Sequence, residues 1–327
     1  MHDAGLIYRG SRIVNWDPKL KTTVSDDEIE WKEEQAIFYY LQYGPFVIGT
    51  SRPETKFGDK YVVMHPNDKR YAGYTHGQKI ELEWINGPVI ATIIKDKAID
   101  MEFGTGVMTI TPWHDATDFD IAERHHLDGA QVRPAPPPLD YDGKLLPVAG
   151  EFAGIHIKKA RPMLIEKLAS KRLLVRTDTT YTHRIATNSR GSGVIEPQIK
   201  TQWFIGVNRK FRMPHSEIKG IKKGQTVTLK ILMQTAVKNK QIGIMPHRFN
   251  KVYFSWINNL RDWCISRQIW YGHRIPVWYR STDAHGRQNG TPSESRGIET
   301  YVGVTPPKGR GWEQDPDTLD TWFSSGL

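Results

Sequence analysis

The sequence predicts an α+β protein: a barrel or sandwich of short strands with peripheral helices, followed by a mixed α/β segment that is strongly basic. Three observations carry this. Strand signals dominate from Ala36 onward, only two stretches in the first 190 residues read as helices, and composition changes near residues 190–200. With 327 residues the chain is too long for one ordinary domain. The expected division is a connecting arm over 1–35, a strand-rich domain over 36–192 and a basic region over 193–327.

The arm, "GLIYRGSRIVNWDPKLKTTVSDDEIEWKEEQ", has a short apolar stretch, a turn at Asp17-Pro18 and then an acidic run. After it, "AIFYYLQYG", "FVIGTS", "KYVVMH", "KIELEW" and "PVIATII" are short, β-branched or aromatic, and broken by Gly, Pro and Asn. Strands at this spacing suggest a barrel or sandwich. "MEFGTGVMTIT" adds a strand entered through a Gly-Thr-Gly turn, and a helix starts at about Asp115. Residues 131–147 read as a Pro-rich surface loop, which could also dock a proline-recognition module. A second helix spans His156 to about Lys171, with Ala160, Met163, Leu164, Ile165 and Leu168 on its apolar face. The stretch 281–314 is polar and reads as a loop. The last residues, "DTLDTWFSSGL", are apolar and uncapped, which suggests a piece of a longer protein.

Composition excludes several classes. There is no apolar run long enough to span a membrane and no signal-peptide pattern at the start. A single cysteine, Cys264, rules out a disulfide framework and a Cys-based zinc site, and fits a reducing, cytoplasmic setting. Residues 1–150 hold 16 Lys+Arg against 23 Asp+Glu, whereas the remainder holds 29 against 13. A basic half of that kind suits a polyanion, or is simply a solvated face. Within it Arg248, Lys251, Arg261, Arg267 and Arg274 interleave with Tyr253, Trp256, Trp263, Trp270 and Tyr271. The cations could neutralise phosphates while the rings stack on bases, although most of these tryptophans are expected in the core.

The stretch "TPWHDATDFDIAERHH" holds the chemistry of most interest. Asp115 and Asp118 are three apart at a helix start and share one face. Thr109 and Thr111 are two apart on the preceding strand, so both hydroxyls point one way. "TSRPETKFGD" places Arg52, Glu54 and Thr55 on a tight turn after a strand. A threonine-lined floor beside a carboxylate suits a small, cationic, hydroxylated ligand. The plain alternative is a helix cap for Asp115 and ordinary strand propensity for the threonines. No nucleophile paired with a base, P-loop or dinucleotide fingerprint is present.

Together, "NWDPKLKTTVSDDEIE", "TSRPETKFGD", "FGTGVMTITPWHDATDFD", "GVIEPQIKTQWF", "INNLRDWCISRQIWYGHRIPVWY" and "DPDTLDTWFSSGL" resemble the valyl-tRNA synthetases, which are class I aminoacyl-tRNA synthetases. The family's ATP-handling HIGH and KMSKS signatures are absent. The resemblance therefore implies the connective insertion that carries the editing domain, a β-barrel with helices, flanked by parts of the synthetic core. Such a piece would not aminoacylate alone. It implies hydrolysis of the ester in Thr-tRNA(Val), with tRNA(Val) as partner through its 3′-terminal adenosine. It implies no metal and no cofactor for editing, ATP serving only the full-length enzyme. By the same resemblance Asp118 holds the substrate's α-ammonium, with Asp115 and Thr111 completing the catalytic set. Arg52, Glu54, Thr55, Phe103, Thr105 and Thr109 would bind substrate. Members of the family often carry Lys at the position of Thr109, so this chain departs there. Two other readings stay open: a tRNA-binding piece without turnover, and isoleucyl-type editing of Val-tRNA(Ile).

Overall fold

The computed structural model describes residues 1–127, 138–281 and 298–326. Residues 131–137 of the expected Pro-rich loop and 282–297 of the expected polar loop lie outside the described residues. The chain forms two compact units. One is Ile13–Ile199; the other combines Met1–Arg12 with Lys200–Leu327. Strands β1 (Ile7–Asp17) and β12 (Glu196–Ile205) carry the chain from one unit to the other.

The unit Ile13–Ile199 is built from β2 (Thr22–Val24), β3 (Ile29–Gln35), β4 (Phe38–Tyr43), β5 (Phe46–Thr50), β6 (Tyr61–Met64), β7 (Lys79–Trp84), β8 (Gly87–Lys95), β9 (Val107–Thr109), helices α1 (Ala116–Arg124) and α2 (Ile157–Ser170), β10 (Leu174–Asp178) and β11 (Thr182–Asn188). β6 explains why "YVVM" is a continuous apolar run. Val62 and Met64 face a core shared with Leu41, Tyr43, Ile48 and Trp84, while Val63 faces a second core with Ile110 and Ile121 of α1. A strand buried on both faces loses the polar alternation of a half-exposed one. β6 pairs parallel with β8 and antiparallel with β9.

The expected closed barrel does not form among the described residues. The strands separate into sheets of order β7-β8-β6-β9, β10-β4-β5 and β11-β3. The two larger sheets nevertheless approach one another, with edge strand β5 beside edge strand β9, and edge strand β7 beside β4, the middle strand of its sheet. A side chain bridges the first seam, Thr105 Oγ1 donating to the Val47 carbonyl at 2.6 Å. Closure fails because the hydrogen-bonded ladder stops at the seams; α1 covers one face of β6. The turn into β9 needs glycine: Gly106 has φ +71°, and a Cβ there would lie 2.8 Å from the Met101 carbonyl oxygen. On α2, Ala160, Leu164 and Leu168 are buried at helical spacing, whereas Met163, expected on that face, is exposed.

The second unit contains β13 (Phe211–Arg212), β14 (Thr226–Val227), α3 (Leu229–Lys238), α4 (Phe249–Asn258), β15 (Trp263–Cys264), β16 (Ser266–Arg267), β17 (Val277–Ser281), β18 (Ile298–Val302), β19 (Glu313–Gln314), β20 (Thr318–Leu319) and α5 (Thr321–Ser325). β18 pairs with β17 and so gives strand structure to part of the stretch read as a loop. Trp203, Ile205, Ile265, Ile275, Val277 and Tyr279 form its core. Buried Asp315 ties two of these rings together, accepting from Trp203 Nε1 at 2.9 Å and from the Tyr279 hydroxyl at 2.8 Å. Trp256 and Trp270 are exposed, contrary to the expectation that most tryptophans of the basic run are core, and Tyr271 is exposed as well. Arg267 is the opposite case: it is buried and paired with Asp320. The unit as a whole is α+β, as is its neighbour.

Candidate functional site

The site lies at the start of α1 in the Ile13–Ile199 unit. Asp115 is the N-cap, accepting from the main-chain N–H of Thr117 at 2.7 Å and of Asp118 at 3.0 Å. Its side chain therefore satisfies helix-end donors and sits at the surface. Asp118, one turn on, is buried instead. Its Oδ2 accepts from the Thr111 N–H at 2.7 Å. Burial, then the neighbouring Asp115 charge, push its carboxyl up to about 8 against the opposing pull of Lys56.

Behind Asp118 sits a polar cluster supplied by the turn Pro53–Gly58 and the end of β9. Lys56 Nζ donates to the Thr109 carbonyl and to Thr111 Oγ1, both at 3.1 Å, and lies 3.3 Å from Asp59 Oδ2. Thr111 Oγ1 in turn donates to Asp59 Oδ1 at 2.9 Å. Burial raises the Asp59 carboxyl, with Lys56 opposing that shift. Three buried oxygens, Asp59 Oδ2, Thr109 Oγ1 and Asp118 Oδ1, make no well-aligned hydrogen bond among the described residues, although Asp59 Oδ2 keeps its ion pair with Lys56. Buried acceptors are normally satisfied, so their grouping in one place marks a region organised for something other than stability.

A chain of ion pairs forms the second wall. Arg161 of α2 grips Glu54 with two hydrogen bonds of 2.9 and 2.6 Å, and Arg52 Nε lies 3.7 Å from the same carboxylate. Arg52 also pairs with Glu196 of β12. His114 Nδ1 lies 3.2 Å from the Pro197 carbonyl and 3.4 Å from Glu196 Oε1. Both neighbours are acceptors, so Nδ1 carries the proton. Burial alone would raise the Glu196 carboxyl; Arg52 and His114 outweigh it and hold it at about 2.

Asp118, Thr111 and Thr109 thus come together. Arg52 and Glu54 belong to the adjoining ion-pair chain. The remaining residues take other places. Thr55 Oγ1 donates to the Arg52 carbonyl at 2.9 Å, and Thr105 closes the β5–β9 seam. Phe103 is exposed and meets Phe38 edge to face, with ring centroids 6.2 Å apart. Lys56, Asp59, His114 and Glu196 escape sequence reasoning, because their importance comes from partners that the fold brings together. A buried lysine two residues past "RPE" leaves no trace in a pattern of apolar and polar positions.

Over its whole length, residues 1–327, the chain matches the family described as tRNA synthetases class I (I, L, M and V), and it belongs to that family. Among individual proteins it is similar to valine–tRNA ligases. It is 39% identical to that of Chlamydia abortus over 333 residues, covering 100% of this chain and 32% of the relative. Against those of Geobacillus kaustophilus and Bacillus subtilis it is 37% and 36% identical, covering 100% of this chain and 33% of each relative. The chain therefore spans about a third of the length of the curated relatives it matches.

Proposed function

We propose that this chain carries the editing activity of a valine–tRNA ligase: hydrolysis of the ester in Thr-tRNA(Val), releasing threonine and tRNA(Val). The observation that carries the reading is Oδ1 of Asp118, a buried oxygen with no hydrogen-bond partner among the described residues, in a carboxyl group whose other oxygen is held by the Thr111 N–H. Valine and threonine are nearly isosteric. An apolar synthetic pocket separates them only about 10²-fold, a value known for this enzyme rather than obtained from the present structure. A second site lined with hydroxyls and carboxylates rewards threonine's hydroxyl, and would leave a buried group unpaired against valine at a cost of roughly 1–3 kcal/mol.

In this mechanism the α-ammonium of the threonyl ester pairs with Asp118 and fixes the ester carbonyl, and a water then attacks in a set orientation. The new bond joins water oxygen to carbonyl carbon. The bond that breaks joins that carbon to the ribose oxygen, which leaves with a proton as the 3′-terminal hydroxyl. Arg52, on the half-exposed edge, faces the terminal adenosine of tRNA(Val). Oδ1 is closed to solvent in the free chain, so binding includes a local opening around it. Ester hydrolysis of this kind calls on no metal or cofactor; ATP serves the adenylation step, for which this chain lacks the HIGH and KMSKS signatures. We place this activity in the cytoplasm, a reducing setting that a single cysteine fits.

The test is to incubate the chain with Thr-tRNA(Val), Val-tRNA(Val) and Val-tRNA(Ile). Selective loss of the threonyl ester is expected. Loss of Val-tRNA(Ile) instead would mark isoleucyl-type editing. One observation favours a tRNA-binding piece without turnover, namely the closure of Oδ1. Stable esters with retained tRNA binding would establish that reading.

A further inference from the structure

Lys56 is a buried cation with no part in the reaction as described so far. It stands among two buried acids, Asp59 and Asp118, and two threonines. Its three near neighbours are all oxygens: the Thr109 carbonyl, Thr111 Oγ1 and Asp59 Oδ2. A lysine kept only for packing would carry its ammonium to the surface, because a buried charge is unfavourable unless paired. This one is turned inward, onto the residue whose N–H holds Asp118.

We propose that Lys56 is the positioning residue of this site, fixing the Thr111 hydroxyl and the Asp59 carboxylate so that Asp118 alone is left to take the substrate's ammonium. The proposal rests on the editing reading above. Its logic is charge balance. Asp59 and Lys56 already neutralise one another, so an arriving ammonium finds one acid without a cation. Thr111 is oriented from both ends: its hydroxyl accepts from Lys56 and donates to Asp59, and its N–H donates to Asp118. Without Lys56 no cation opposes the burial of Asp59, and its carboxyl is driven up towards the neutral form. The Thr111 hydroxyl also loses the donor that fixes its direction. The charges that act on Asp118 are Asp115 at the helix cap and Lys56 and Asp59 on the facing turn. Lys56 is the one that favours its ionised form, so its removal drives the Asp118 carboxyl still higher.

Position 109 offers a way to return the charge from the opposite side. The Thr109 hydroxyl is buried, makes no well-aligned hydrogen bond among the described residues, and lies close enough to Asp59 to help hold that carboxylate ionised. A lysine there, with methionine at 56, delivers an ammonium to Asp59 from β9.

The experiment is single-turnover hydrolysis of Thr-tRNA(Val) across pH by the unmodified chain, K56M, and the swap K56M/T109K, with folding followed by circular dichroism. K56M is expected to slow hydrolysis by about 10²-fold at neutral pH and to shift the acid limb of the profile upward. The swap is expected to recover most of the rate and return the limb. A folded K56M with unchanged rate and profile overturns the role of Lys56. Should K56M fail to fold, the swap decides: a folded, inert swap overturns the proposal, and an active one supports it. If the unmodified chain hydrolyses no ester at all, the editing reading fails and this proposal falls with it.

Discussion

The main-chain N–H of Thr111 donates to Oδ2 of Asp118 at 2.7 Å, and Oδ1 of that buried carboxyl has no hydrogen-bond partner among the described residues. One oxygen fixes the side chain, and the other would meet a cation once the site opens and its proton leaves. If this division of labour is right, Asp118→Ala removes the ammonium contact while leaving helix α1 capped by Asp115. Deacylation of Thr-tRNA(Val) should fall by at least about 10²-fold, as expected for lost positioning, with the circular dichroism spectrum unchanged. A near-normal rate in the folded variant would remove Asp118 from the site.

The same residue makes stability depend on pH. The Asp118 carboxyl titrates at about 8 in the folded chain against 3.8 as a free side chain. A raised folded value means that the folded state holds its proton more tightly than the unfolded state. Stability from this group is complete below about pH 4 and is lost as pH rises through about 8. Asp118→Asn keeps the shape without the charge. It should match the unmodified chain in thermal unfolding near pH 4 and exceed it by a few kcal/mol near pH 8. Equal unfolding temperatures at both pH values would contradict the raised titration.

Binding should then release a proton. Below about pH 8 an ammonium ligand meets a protonated Asp118, and the ion pair forms only when that proton leaves. Calorimetry with a non-hydrolysable threonyl-amide of adenosine, run near pH 6 in buffers of different ionisation enthalpy, should show release approaching one proton. Asp118→Asn should show none.

Glu196 works in the opposite direction. Its carboxyl is held at about 2 against the ordinary 4.5, because Arg52 and His114 outweigh its burial. A depressed folded value contributes stability that is present above about 4.5 and lost as pH falls towards 2. Over that window the contribution is about 3 kcal/mol. Glu196→Gln should abolish that acid dependence. It should also raise KM for Thr-tRNA(Val) more than it lowers kcat, since Arg52 loses its anchor while Asp118 keeps its own. Unchanged acid unfolding would show that the Arg52–Glu196 pair contributes nothing net.

The parts of this site that could be read from the sequence are the local ones. Asp115 before an acidic, apolar-periodic stretch is a helix cap by residue type alone, and α1 starts where that pattern puts it. Thr109 and Thr111 share a face because a strand alternates. Thr55 and Thr105 sit beside turns, where short hydroxyls bond to nearby main-chain carbonyls: Thr55 to that of Arg52 and Thr105 to that of Val107. Lys56 with Thr111 and Arg52 with Glu196 are pairs 55 and 144 residues apart in the chain, and no local pattern announces them. The same holds for the sheets. Each strand is recognisable, but the parallel pairing of β6 with β8 and the unclosed seams join strands far apart in the chain, which no local pattern announces. The exposure of Trp256 and Trp270 was illegible for a related reason, since an aromatic residue's type does not say which surface it meets.

Asp115 has two roles that one pair of variants can separate. As a cap it satisfies two N–H groups of α1; as a charge it helps raise the Asp118 carboxyl. Asn is as good a cap as Asp but carries no charge, whereas Ala loses both properties. Asp115→Ala should therefore destabilise the chain by about 1 kcal/mol. Asp115→Asn should leave stability nearly unchanged and move the acid limb of the hydrolysis profile downward, because Asp118 then ionises more easily. Arg52 also feels the Asp115 charge, so the Asn variant should weaken tRNA binding little, if at all, at moderate salt. If both variants lose stability equally and neither shifts the profile, Asp115 acts only through main-chain contacts that Asn does not reproduce, and its charge has no bearing on Asp118.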